Sequence, residues 1–214
     1  MPLARMIDHT ILKPGCTIAE VKQVCEEAMT HGFAAVCVPP YYVKDAVHML
    51  GDSPVKVATV AGFPFGYAAI FAKMEEIKRS LEEGADEIDA VINLCAVKNG
   101  AWNYVRSEME AFSTACHMKG KIVKIILETG MMTEPELVKL CEISKEIKVD
   151  FVKTSTGFNG EGATVEAVKF LRKHLPKSIK IKASGGIRER AFAEALVQAG
   201  AERIGTSSGV LIIQ

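Results

Sequence analysis

Two lysines stand near the ends of short apolar segments and run straight into loops of small residues: Val149-Asp-Phe-Val-Lys-Thr-Ser-Thr-Gly157 and Ile179-Lys-Ile-Lys-Ala-Ser-Gly-Gly186. An ammonium held beside a second ammonium gives up its proton readily, and the neutral amine that results can attack a carbonyl carbon. A lone lysine at a strand end simply extends its head into solvent. Here Lys153 shares its strand face with Val149 and Phe151, and Lys182 is expected two strands along on the same face. Lowering a lysine by about three pKa units, enough to make it largely neutral at pH 7, costs roughly 4 kcal/mol. A second ammonium about 5 Å away at an effective dielectric near 20 supplies roughly 3 kcal/mol of that, and partial desolvation can cover the rest. Asp89, mid-strand and on the inner face, could shuttle protons or simply balance the lysine charge.

Two glycine-rich loops complete the chemistry. Gly185-Gly186 follows one strand and opens a helix, and Gly205-Thr-Ser-Ser-Gly209 follows the next. Backbone N–H groups in such loops, beside helix starts, cradle phosphate. Turns need glycine for conformational reasons too, so the weight lies in both clusters falling in consecutive loops. Arg188 could add charge there, or be a solvated first-turn arginine.

These side chains need a scaffold that brings several strand ends together. Strand-like runs cover 6–12, 33–38, 55–62, 87–93, 122–128, 149–155, 179–184 and 203–207, separated by amphipathic stretches. The first stretch opens with Thr17 and Glu20 in capping-box spacing and stops at Gly32; Thr133 with Glu136 repeats that start. Eight strand-then-helix units predict an α/β fold of the (β/α)₈ barrel type, one compact domain over residues 1–214. A doubly wound open sheet is the alternative. Its central strands, covered on both faces, would read as unbroken apolar runs. Instead Ile88, Ala90 and Ile92 alternate with Glu87, Asp89 and Asn93, and Val123, Ile125 and Leu127 alternate with Lys124 and Glu128. The apolar set suits a helix-facing surface, which leaves an unusually charged barrel interior.

Bulk composition narrows the function classes. The 26 basic and 26 acidic residues cancel, so no overall field recruits nucleic acid or an anionic membrane. No apolar run approaches the roughly 18 residues needed to cross a bilayer. The start, Met1-Pro-Leu-Ala-Arg-Met-Ile-Asp-His9, is too short and too soon charged for a signal peptide. Six cysteines without a C-x-x-C pair fit reduced thiols, and together these points predict a cytoplasmic protein. Five histidines show no ligand spacing, so a built-in metal site has little support. No cofactor is expected.

With these residues in place, the chain resembles the deoxyribose-phosphate aldolases, a class I aldolase family. The matching segments are Ile7-Asp-His-Thr-Ile-Leu-Lys-Pro14, Ala35-Val-Cys-Val38, Gly62-Phe-Pro-Phe-Gly66, Gly84-Ala-Asp-Glu-Ile-Asp89, Lys124-Ile-Ile-Leu-Glu-Thr-Gly130, Phe151-Val-Lys-Thr-Ser-Thr-Gly157, Lys182-Ala-Ser-Gly-Gly186 and Ile204-Gly-Thr-Ser-Ser208. The resemblance implies reversible cleavage of 2-deoxy-D-ribose 5-phosphate to acetaldehyde and D-glyceraldehyde 3-phosphate. It implies Lys153 as the Schiff-base lysine, Lys182 as the neighbour depressing its pKa, and Asp89 as a proton relay. Gly157, Gly185, Gly186, Gly205, Ser207 and Ser208 would hold the phosphate, and Thr10 and Cys37 would line the pocket. Its partners would be sugar phosphate and acetaldehyde, in a homo-oligomer of unspecified size. Phe158 stands where some members have lysine, which removes one charge near the phosphate. Pro39-Pro40 and Ala68-Ala-Ile-Phe71 also depart from the family pattern. Alternatives left open are another Schiff-base sugar-phosphate aldolase or transaldolase, a non-catalytic sugar-phosphate-binding barrel, and an isomerase using the same phosphate loops.

Overall fold

The computed structural model describes residues 2–214; Met1 lies outside them. Eight parallel strands close into a barrel in chain order, β1 (Ile7–Thr10), β2 (Ala35–Val38), β3 (Lys56–Ala61), β4 (Glu87–Val91), β5 (Ile122–Ile126), β6 (Phe151–Lys153), β7 (Lys180–Ser184) and β8 (Arg203–Thr206). The ring shuts where β1 pairs with β8, Asp8 opposite Gly205. That closure removes the open-sheet alternative.

The helices are α1 (Ile18–His31), α2 (Val43–Leu50), α3 (Ile70–Glu82), α4 (Leu94–Lys98), α5 (Trp102–His117), α6 (Glu134–Ile147), α7 (Val165–His174), α8 (Arg190–Gln198) and α9 (Gly209–Ile213). Thr17 and Thr133 form the expected capping boxes, and Gly32 ends α1 in the left-handed conformation at φ 64°. Three acidic residues set where strands begin. Asp86, Asp150 and Glu202 accept the N–H of Val57, Val123 and Ile181 on the neighbouring strand.

Every expected strand is present, several shorter than the apolar runs suggested. The loss is greatest for β6, which spans Phe151–Lys153 inside the run 149–155. Its flanks still bond to both neighbours: Lys180 N donates to Asp150 O at 2.9 Å, Thr154 N to Lys182 O at 3.0 Å and Thr129 N to Thr154 O at 2.8 Å.

Outward residues such as Ile88, Ala90, Val123, Ile125, Ile181 and Ala183 are wholly buried beneath the helices. The interior is split in two. Ala35, Cys37, Ala58 and Val60 fill one sector with small apolar groups. The other strands send charged side chains inward, as the alternation predicted.

Candidate active site

Lys153 and Lys182 are directly opposed residues of adjacent strands. The expectation of a two-strand separation is corrected: no other strand intervenes between β6 and β7. Each lysine Nζ donates to the same oxygen, Asp89 Oδ2, at 2.8 Å from Lys153 and 2.7 Å from Lys182. Asp89 Oδ1 accepts from Lys124 Nζ at 2.8 Å. Lys124 also meets Glu87 at 2.6 Å, while Arg203 grips Glu87 with both terminal nitrogens at 2.9 and 3.1 Å. Asp8 closes the circuit by accepting from Lys182 and Arg203.

The network therefore holds four cations (Lys124, Lys153, Lys182, Arg203) and three carboxylates (Asp8, Glu87, Asp89). One positive charge is in surplus, and the pKa directions show where. Burial lowers a lysine, yet Asp8 and Asp89 outweigh it and raise Lys182. Burial is likewise outweighed at Lys124 by Asp89 and Glu87, and at Arg203 by Asp8 and Glu87. Among the described residues Lys153 has Asp89 as its one carboxylate partner and shares it. Its pKa falls, first through burial and then through the Lys182 charge, with Asp89 opposing both. Burial thus ranks above the second ammonium, the reverse of the order expected from charge alone. Asp89, although desolvated, is held well below the usual carboxylate range by Lys124, Lys153 and Lys182.

Above these charges opens a cleft of about 660 Å³. Lys153, Thr10, Gly157, Gly185, Gly186, Gly205, Ser207 and Ser208 all lie on its wall. Lys182 and Asp89 are fully buried beneath it. Cys37 lies below the cleft wall, packed with Ala35, Ala58 and Val60 yet within electrostatic reach of Lys182, Asp89 and Lys153, and burial pushes its thiol up to about 11. That leaves a neutral packing residue.

The loops after β6 and β7 touch backbone to backbone. A Cβ on Gly157 would sit 3.3 Å from Gly185 Cα, and one on Gly162 would sit 2.3 Å from Gly185 O. Gly205 has a second duty, because a Cβ there would lie 2.3 Å from Ser184 Oγ and 2.9 Å from Lys182 Cε. Phe63 covers Lys153 at 5.9 Å and meets Phe158 edge-on at 5.2 Å.

Glu87 and Lys124 were legible from alternation as inward charges but carried no assigned role, and Asp8 and Arg203 were not singled out. The pairing of these four across the closed ring was not visible in the sequence.

The family model described as DeoC/LacD family aldolase matches residues 3–214. The chain belongs to that family. It is 50% identical over 215 residues to a protein of Caldanaerobacter subterraneus named deoxyribose-phosphate aldolase, covering 100% of this chain and 93% of that one. A Thermococcus gammatolerans protein of the same name is 49% identical, with 100% and 96% covered. The tetrameric structure of deoxyribose phosphate aldolase from Aeropyrum pernix superposes with a TM-score of 0.92 at 34% identity, covering 99% of this chain and 89% of that one. Membership in an aldolase family makes the chain a lyase. Among the described residues no helix is long and apolar enough to cross a membrane.

Proposed function

We infer that this aldolase reversibly cleaves 2-deoxy-D-ribose 5-phosphate to acetaldehyde and D-glyceraldehyde 3-phosphate through a Schiff base on Lys153. The observation that carries this reading is the lowered pKa of Lys153, on the cleft wall beside the glycine loops and inside a network whose other cations are all raised. A neutral Lys153 adds to the sugar's C1 aldehyde, and loss of water gives the protonated imine. That cation draws electrons as the C3 hydroxyl loses its proton and the C2–C3 bond breaks. Glyceraldehyde 3-phosphate departs, leaving an enamine. Protonation at C2 and hydrolysis then release acetaldehyde and restore Lys153.

Asp89, hydrogen-bonded to Lys153 Nζ, is placed to relay protons to and from that nitrogen. Its low proton affinity favours immediate transfer onward over storage, and its negative charge favours the iminium. Lys182, raised in pKa, remains an ammonium throughout and keeps Lys153 the easiest of the cations to deprotonate. Gly157, Gly185, Gly186, Gly205, Ser207 and Ser208 form the phosphate side of the cleft, which Thr10 also lines.

A homo-oligomer is supported by the tetrameric structure of the Aeropyrum relative and by exposed Tyr41, Tyr67 and Phe71. The six cysteines, free among the described residues, fit the reducing cytoplasm.

The test is borohydride reduction in the presence of acetaldehyde, followed by mass mapping. A two-carbon adduct on Lys153 supports the assignment. Labelling of Lys182 would exchange the two roles, and labelling by ketone donors alone would point to a different aldolase.

A further inference from the structure

Glu128 follows β5 with its backbone in the left-handed region, at φ 55° and ψ 59°. A non-glycine residue is strained there, and such strain persists where surrounding contacts over-determine it. The side chain is also buried, 1% exposed. Its carboxylate faces three donors from one loop. Thr156 N–H lies 3.1 Å from Oε1; Thr156 Oγ1 and Asn159 Nδ2 lie 2.6 and 3.0 Å from Oε2. Thr156 Oγ1 in turn accepts from Phe158 N at 3.1 Å. Asn159 Nδ2 also donates to Pro64 O at 2.8 Å, which ties in the loop carrying Phe63.

We propose that Glu128 is a positioning residue, whose carboxylate seats the loop 154–163 so that Gly157 faces the substrate phosphate and Phe158 faces Phe63. Residues 154–163 form no regular helix or strand, so their shape depends on such anchors. The ends of the loop are anchored separately: Thr129 N donates to Thr154 O at 2.8 Å, Thr154 Oγ1 donates to Ser184 O at 3.2 Å, and Ala163 N donates to Gly185 O at 3.1 Å. In the middle, Asn159 is shared between Glu128 and Pro64 O. The stretch between the two ends, which contains Gly157, is held to the barrel by Glu128. Lys153 itself sits on β6, paired to strands on both sides, so its position does not depend on this anchor.

The inference rests on the aldolase reading, and its test separates the two. Glu128→Gln keeps the volume but turns an amide NH₂ toward a donor whichever way it rotates. Cleavage of 2-deoxyribose 5-phosphate and of unphosphorylated 2-deoxyribose is compared in wild type, Glu128→Gln and Asn159→Ala. In Glu128→Gln, kcat/KM for the phosphorylated sugar is expected to fall about tenfold or more, chiefly through KM. For the unphosphorylated sugar the fall is expected to be under about threefold, and imine trapping at Lys153 persists. Asn159→Ala shifts the same ratio in the same direction by less, and carries the test if Glu128→Gln does not fold. Equal loss on both sugars, or a fall in kcat with KM unchanged, overturns the proposal. If wild type traps no imine, the aldolase reading fails instead. Inorganic phosphate binding, expected to weaken about tenfold in Glu128→Gln, still decides the role of the anchor.

Discussion

Lys153 and Lys182 donate to one and the same carboxylate oxygen, Asp89 Oδ2, yet their proton affinities move in opposite directions. Asp8 makes the difference. It pairs with Lys182, and no equivalent carboxylate lies against Lys153 among the described residues. Two chemically identical groups differ in proton affinity because one of them is one counter-ion short, which is the difference the proposed roles of nucleophile and fixed charge require.

Removing the fixed charge should therefore move the nucleophile. In Lys182→Met, Lys153 loses a neighbouring cation worth roughly 3 kcal/mol at about 5 Å, or about two pKa units. Activity at neutral pH is expected to fall about a hundredfold and to recover as the pH rises, because more Lys153 is then neutral. The kcat/KM profile against pH checks this. A loss that stays constant at every pH would mean that Lys182 acts directly on the substrate.

Lys153 should also cost stability. Its folded pKa lies below the ordinary 10.5, so between those two values the unfolded chain binds more protons than the folded one. Stability due to this group accordingly rises with pH through that window, and at neutral pH the buried ammonium is a liability. Lys153→Met should be inactive, trap no imine, and gain about 1 kcal/mol at pH 7, which corresponds to a rise of about 2–4 °C in melting temperature. A less stable variant would show that the Asp89 contact outweighs burial.

Phe158 stands half-exposed at the cleft beside Gly157. A lysine there adds a partly solvated cation near the phosphate side, worth about 0.5–1 kcal/mol. Phe158→Lys is expected to lower KM for the phosphorylated sugar about two- to fivefold while leaving unphosphorylated deoxyribose unimproved. Steady-state kinetics on both sugars would reveal an equal change, which would place Phe158 away from the phosphate.

Away from the cleft, Lys73 on α3 and Glu108 on α5 form an ion pair at 2.8 Å with both side chains fully buried. Lys73 also donates to Val91 O, and Glu108 accepts from Asn93 N, so the pair clamps the end of the strand that carries Asp89. Glu108→Ala leaves an ammonium buried alone and is expected to destabilise by about 3–5 kcal/mol. Combining Lys73→Met with Glu108→Leu should restore most of that loss in denaturant unfolding. A double variant as unstable as the single one would make the clamp itself necessary.

The sequence by itself determined the number of strands, their inward faces and the identity of the two lysines. Side chains in a strand alternate with period two, and that arithmetic needs no coordinates. Glu87-Ile-Asp89 and Lys180-Ile-Lys182 therefore declared a charged interior in advance, and the glycine clusters declared where backbone approaches closely. Who pairs with whom was left to the tertiary structure. Asp8 and Lys182 are 174 positions apart and meet because β1 pairs with β8 across the closed ring. Only that closure reveals four cations facing three carboxylates, and only the pairing it creates leaves Lys153 one counter-ion short. The left-handed turn at Glu128 was equally silent, since its conformation is held by a loop about thirty residues further along the chain. Local pattern sets which way a side chain points; its proton affinity depends on every charge the folded chain gathers around it.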